Sequence, residues 1–310
     1  MKKVFITGGN GFIGNYITSE LLKKKLEVIS FDLQLPKTKF KNVTYLNGTI
    51  LDKALMEQNM KGCDLVIHLA AIVGVKRTTN NLLQCLNINI IGTRNVFEAA
   101  VIAKVPSVVI TSSSEIFGDS GIQKYNENSN LNPKSGYAVS KLACEEYAKA
   151  FKLAYDLNFK IIRFFNVYGI GQNHEFVIPI FIQNAFNKKN LSVYGDGSQV
   201  RSFCYVTDAA SMAVKIALAK NSENQIFNVG NDSEPITIKD LARLILRKFS
   251  LDEKNFMSFK DFSESDRTFT REIFRRVPDI SKIKNKFGYQ PVVDLNKGID
   301  LVVKELKKSK

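Results

Sequence analysis

Short apolar runs recur through the first half of the chain, and between them apolar residues return at helical spacing. VFIT (4–7), EVISFD (27–32), VTYLNG (43–48), DLVIHLA (64–70), SVVITSS (107–113) and FKIIRFFNV (159–167) predict strands. Helices are predicted over 12–25, around 82–103 and over 140–157. Strand and helix in alternation imply a parallel sheet covered on both faces, a doubly wound α/β architecture. After Tyr168-Gly169 the texture changes, with a segment 174–184, a loop GDGSQVRSF and a helix near 208–220. QIFNVG (225–230) returns as a strand, and Thr237 with Asp240 forms a capping box opening a helix through 249. The last quarter reads as a smaller lobe over the C-terminal edge of the sheet. The predicted division is therefore 1–168, joined by the returning strand, and 169–310, mainly a second lobe.

Composition narrows the class. With 45% hydrophobic and 24% charged residues the chain buries a core and is not a disordered protein. The net charge of +14 raises the question of nucleic acid, but the lysines are spread along the chain and no nucleic-acid motif accompanies them. A solvated basic surface is expected, with no nucleic-acid partner. Cys63, Cys85, Cys144 and Cys204 form no CxxC pair, which argues against a zinc site and a disulfide framework. His68 and His174 lie far apart, His68 is read as structural, and no metal is expected. Glycines interrupt the apolar run of MKKVFITGGNGFIG, and no long apolar segment follows, so a soluble cytoplasmic protein is predicted.

Two motifs carry chemistry. In TGGNGFIG, Gly8, Gly11 and Gly14 are three residues apart, after a strand and at the start of a helix. Glycine permits the tight turn and lets backbone N–H groups and the helix N-terminus approach a pyrophosphate. Phe12 and Ile13 belong to the same turn. The second strand ends in Asp32, where a carboxylate binds ribose hydroxyls and repels a 2′-phosphate, favouring NAD over NADP. This is a Rossmann-type reading. Asp52 is open to two readings, an adenine contact or a helix N-cap. In Tyr137-Ala-Val-Ser-Lys141, positions i and i+4 share a helix face, so phenol and ammonium project together. A nearby cation lowers a tyrosine pKa, which suits a base acting on a sugar hydroxyl.

TGGNGFIG, HLAA (68–71), NIIGTRNVFEAA (89–100), SSSEIFGD, YAVSK, RFFNVYG (163–169), YGDGSQVRSFCYVTDAA (194–210) and RRVPDISK (275–282) occur in order along the chain. Through them it resembles the extended short-chain dehydrogenase/reductases, the group of NAD-dependent nucleotide-sugar epimerases and dehydratases. The resemblance implies a triad of Ser113, Tyr137 and Lys141, with hydride passing from sugar C4 to NAD. It places Leu69, Ala70 and Ala71 at the cofactor. Asn166 would contact the substrate diphosphate, and Arg201 with Arg267 or Arg276 the phosphate or nucleoside. An interdomain ion pair is the other reading of an arginine before VPDI.

Ser114 and Glu115 discriminate among family reactions. A 4-ketone acidifies the C5 proton, and a carboxylate at Glu115 is suited to abstract it with an acid assisting at C6. A 4,6-dehydratase is favoured on that ground. A 4-epimerase is the runner-up, followed by a uronate decarboxylase, in which an arginine of RRVPDI binds the C6 carboxylate, and a 4-keto sugar reductase. A dinucleotide-binding sensor is the non-enzymatic alternative. A structural glutamate is the other reading of Glu115. The family also implies a homodimer, built on the helix that follows Lys141, and a role in polysaccharide synthesis.

Overall fold

The computed structural model describes residues 1–264 and 272–308. Its centre is a seven-stranded parallel sheet. In chain order the strands are β1 (Lys3–Thr7), β2 (Glu27–Asp32), β3 (Val43–Asn47), β4 (Leu65–His68), β5 (Ser107–Ser113) and β6 (Asn158–Phe164), followed by the returning strand Gln225–Val229. Across the sheet the order is Gln225–Val229, β6, β5, β4, β1, β2, β3. Chain direction across the sheet reverses between β1 and β4, and in such sheets that crevice binds ligands.

Alternate residues of each strand feed two cores. Val4 and Ile6 of β1 and Ile67 of β4 pack with Ile17, Leu21, Met212 and Ile216, from helices Phe12–Lys23 and Val206–Leu218. Phe5, Val66, Val108 and Ile110 face the other way, onto Phe97, Ala148 and Phe151 of helices Gly92–Ile102 and Gly136–Tyr155. The sheet is thus covered on both faces. Helix Gly136–Tyr155 begins a turn earlier than the apolar pattern suggests, because the Ser135 hydroxyl accepts the Ala138 N–H at 3.1 Å and caps it. Tyr137 therefore sits in its first turn.

The second lobe has its own core, in which Phe181, Leu191, Val193, Leu241, Ile245 and Ile299 are buried. Its small sheets pair Leu191–Tyr194 with Met257–Lys260, and Val200–Ser202 with both Pro235–Thr237 and Arg275–Arg276. Helix Val206–Leu218 and strand Gln225–Val229 return from it to the main sheet. Thr237 caps helix Ile238–Lys248, accepting the Asp240 N–H at 3.0 Å. Among the described residues no helix is long and apolar enough to cross a membrane.

Candidate active site

A cavity of about 1150 Å³ runs along the C-terminal edge of the sheet and between the lobes. It exceeds the roughly 300–1,000 Å³ of a single small-molecule pocket, so it has room for two ligands. Its lining includes Gly8, Gly11, Phe12, Ile13, Gly14 and Asp32 at one end, and Asn166, Arg201 and Arg276 at the other. Leu69, Ala70 and Ala71 and the group Ser113, Ser114, Glu115, Tyr137 and Lys141 lie along it. Arg267 lies outside the described residues.

The glycine turn is built for close approach. Gly8 has φ +70°, and a Cβ there would stand 2.6 Å from the Ala70 nitrogen. Asp32 receives the Asn10 N–H at 3.1 Å, tying the turn to the end of β2. Asn10 also bonds Ser30 at 2.7 Å and the Gln34 carbonyl at 2.6 Å. Sequence reasoning missed this brace, although a polar residue inside a glycine run was a signal for it. A backbone cradle open to phosphate, with a carboxylate 18 residues beyond Gly14, fits a dinucleotide. Asp52 caps helix Lys53–Met60 by accepting the Leu55 N–H at 3.0 Å, and the N-cap reading holds.

SSSEIFGD forms the end of β5 and a tight turn. The Ser113 hydroxyl accepts the Glu115 N–H at 3.2 Å, and Gly118, at φ +61°, lies where any Cβ would strike the Asn132 carbonyl oxygen. Glu115 bonds Arg276 Nη1 at 3.1 Å and Ser135 Oγ at 3.4 Å. Arg276 Nη2 donates to Asn166 Oδ1 at 2.6 Å. The pair thus joins the sheet to the second lobe and stands inside the cavity. Arg201 is buried against Glu272 at 2.5 Å.

Burial holds the Tyr137 phenol well above its ordinary pKa, and the Glu115 charge adds to this, while a hydrogen bond with Ser113 pulls the other way. The lowering expected from Lys141 is not realised in this arrangement. Its ammonium points at the Thr111 carbonyl, 2.9 Å away, and burial lowers its own pKa.

His68, at the end of β4, bonds Thr7 at 2.6 Å and Thr93 at 2.8 Å, and burial with the Lys141 charge pushes its pKa down to about 3. It is a neutral structural group. Asn89 was also missed. It lies in a π-helical turn, Asn87–Ile91, and fastens both the N–H and the carbonyl of Ile72 and the Ser140 hydroxyl beneath Tyr137. A polar residue in the apolar helical stretch NINII was its only signal.

The NAD dependent epimerase/dehydratase family matches residues 4–230. The chain belongs to this family. A putative UDP-glucose 4-epimerase from Methanocaldococcus jannaschii is 32% identical over 98% of both chains. A UDP-N-acetyl-alpha-D-glucosaminuronate decarboxylase from Bacillus cytotoxicus is also 32% identical, over 96% of this chain and 95% of that one. The fold matches a dTDP-glucose 4,6-dehydratase from Streptomyces venezuelae, solved with NAD bound, at a TM-score of 0.90 and 27% identity, covering 99% and 97% of the two chains. This family member is an NAD-dependent enzyme of nucleotide-sugar conversion. Epimerase, decarboxylase and dehydratase all stand among its relatives, so identity alone does not select the reaction.

Proposed function

We propose that the enzyme oxidises a nucleotide-diphosphate hexuronate at C4 and releases its C6 carboxylate as carbon dioxide. The observation that carries this reading is the Arg276 guanidinium, 3.1 Å from Glu115 and inside the cavity beside Tyr137. Dehydration of a neutral hexose needs a general acid to protonate the departing 6-hydroxyl. The residue beside Glu115 is Ser114, a hydroxyl, and Glu115 is already engaged by a cation. A C6 carboxylate instead takes the place of Glu115 on the arginine, whose planar fork suits two-point contact.

Tyr137 moves the proton at O4, and Ser113 orients that hydroxyl. Bound NAD would supply the acceptor for the C4 hydride and, after decarboxylation, the donor that returns it to C4; Gly8, Gly11 and Asp32 would hold it. With C4 a ketone, the sugar is a β-keto acid. The C5–C6 bond breaks, its electron pair forms the C4–C5 double bond, and O4 takes the negative charge as carbon dioxide leaves. Tyr137 donates a proton to that oxygen, and C5 collects one on the Ser114–Glu115 side. 4,6-Dehydration is the second reading, favoured by a carboxylate at Glu115, where a C5 base is needed.

The test is incubation with UDP-, dTDP-, GDP- and CDP-linked hexoses and hexuronates in deuterated water, read by proton NMR and mass spectrometry. Carbon dioxide release with deuterium at C5 is expected. Loss of water from a hexose means the dehydratase, and an isomer of unchanged mass the epimerase. Absence of carbon dioxide release from every hexuronate would refute the proposed reaction. The expected homodimer is part of this proposal, supported by exposed Leu83 (83%) and Leu153 (89%) near and on helix Gly136–Tyr155. Sedimentation velocity tests it.

A further inference from the structure

Glu115 and Arg276 reach each other from different lobes, and one loop holds the backbone of both. Residues 118–125 leave the turn Ser114–Phe117, which carries Glu115, and meet the segment 274–279, which carries Arg276. There the loop fastens the neighbours of Arg276 on each side. The Asp119 carboxylate accepts the Phe274 N–H at 3.2 Å, and the Gln123 carbonyl accepts from Arg275 Nε at 2.9 Å. Tyr125 donates its N–H to the Val277 carbonyl at 2.9 Å, and its own carbonyl accepts the Asp279 N–H at 2.7 Å.

The Tyr125 side chain closes this loop on itself. It is fully buried, with its ring stacked on Phe117 at 5.1 Å. The hydroxyl accepts the Ser120 N–H at 3.1 Å and donates to the Gly118 carbonyl at 3.3 Å. Phenylalanine would fill the same space, so what the phenol adds at this buried position is its hydrogen bonds. Gly118 in turn donates its N–H to the Glu115 carbonyl at 3.2 Å. A chain of hydrogen bonds therefore runs from the Glu115 backbone through Gly118 to the Tyr125 hydroxyl, and the Tyr125 main chain grips the residue after Arg276. Removing the hydroxyl cuts that chain in the middle.

We infer that Tyr125 is a positioning residue that sets how closely Arg276 approaches Glu115 and Tyr137. It acts through the backbone, from outside the cavity lining. The role of Arg276 toward a sugar carboxylate rests on the proposed function. The tie between Tyr125 and the Arg276 segment does not.

The test is Tyr125→Phe, which keeps the ring and removes the hydroxyl. Tyr137 is faced by Glu115 after β5, by Cys85 of helix Leu82–Leu86 and by Arg276, while Lys141 shares its own helix. Of these, only Arg276 lies on the segment that Tyr125 grips, and its charge lowers the phenol. On any nucleotide sugar that the wild type turns over, Y125F should lower kcat/KM by about three- to tenfold. Its Tyr137 limb should move to higher pH, as in Arg276→Met but by less. In the R276M background Y125F should move the limb no further. A limb that stays in place, or that moves equally in both backgrounds, overturns the inference, whatever Y125F does to stability.

Asp119 probes the same frame from a second tie. Asp119→Ala removes the acceptor for the Phe274 N–H and should move the limb to higher pH, while Asp119→Asn keeps an oxygen there and should hold it. Loss of the negative charge alone would move the limb down in both variants, which would also count against the inference.

A urea double-mutant cycle of Y125F with R276M needs no substrate. The midpoint lost on Y125F should shrink by at least half in the R276M background, and strictly additive losses would sink the inference. Coupling in this cycle without carbon dioxide release from any hexuronate would refute the proposed reaction and leave the positioning role standing.

Discussion

Arg276 and Glu115 stand 161 residues apart in the chain and 3.1 Å apart in space. Their charges act on Tyr137 with opposite signs: Glu115 raises the phenol pKa and Arg276 lowers it. The two lobes therefore set the basicity of the candidate base together. Anything that separates the pair changes the charge that Tyr137 feels.

Exchanging either partner should shift the pH dependence in a predictable direction. Glu115→Gln removes the charge that raises Tyr137, so the Tyr137 limb of the kcat/KM profile moves to lower pH. Arg276→Met moves it to higher pH. Tyr137→Phe, which removes the candidate base itself, should lower kcat by about 10²–10⁴-fold. Limbs that stay in place in both variants would separate the pair from Tyr137.

At the cofactor end, Gly8→Ala places a side chain at φ +70° and 2.6 Å from the Ala70 nitrogen. A left-handed alanine costs about 1–2 kcal/mol before any clash. NAD affinity should fall tenfold or more, read by fluorescence titration of the purified variant. Asp32→Ser should raise the affinity for NADP relative to NAD, since the carboxylate no longer repels a 2′-phosphate. An unchanged ratio would remove Asp32 from cofactor selection.

His68 makes the fold acid-sensitive. An unfolded histidine takes up its proton near pH 6.5, while the buried one resists until about 3. Between those values the unfolded state binds more protons, so stability falls as pH drops through that window. The loss amounts to a few kcal/mol at its acid end. Denaturation midpoints of His68→Asn between pH 4 and 6.5 should show a flatter pH dependence than the wild type, and parallel curves would refute the assignment.

Arg163 and Glu145 form a fully buried two-point pair, with bonds of 2.9 and 2.7 Å. Glu145→Gln leaves the guanidinium charge buried without its counter-ion, and about 3–5 kcal/mol of stability should be lost. Replacing both residues with apolar ones of similar volume should cost less. Urea denaturation checks both, and equal losses would mean that the ion pair is not the source of the effect.

The parallel sheet was legible because its signals are local. β2 and β5 match the runs EVISFD and SVVITSS residue for residue, since a strand buried on both faces needs an unbroken apolar run. The N-terminus of helix Gly136–Tyr155 was less legible, because its start is decided by the Ser135 cap and not by apolar spacing. Asn89 escaped notice since its partners, Ile72 and Ser140, lie 17 and 51 residues away.

By itself the sequence determined the family and the glycine turn, and it marked Ser113, Glu115, Tyr137 and Lys141 as candidate site residues. These depend on residue type, on backbone conformations reserved for glycine and on spacings within one element. Tertiary structure alone decided what each side chain faces: Lys141 the Thr111 carbonyl, Asn166 the Arg276 guanidinium, and Glu115 a cation from the far end of the chain. The direction of a side chain and the field on a titrating group come from partners distant in sequence, and no local pattern encodes them.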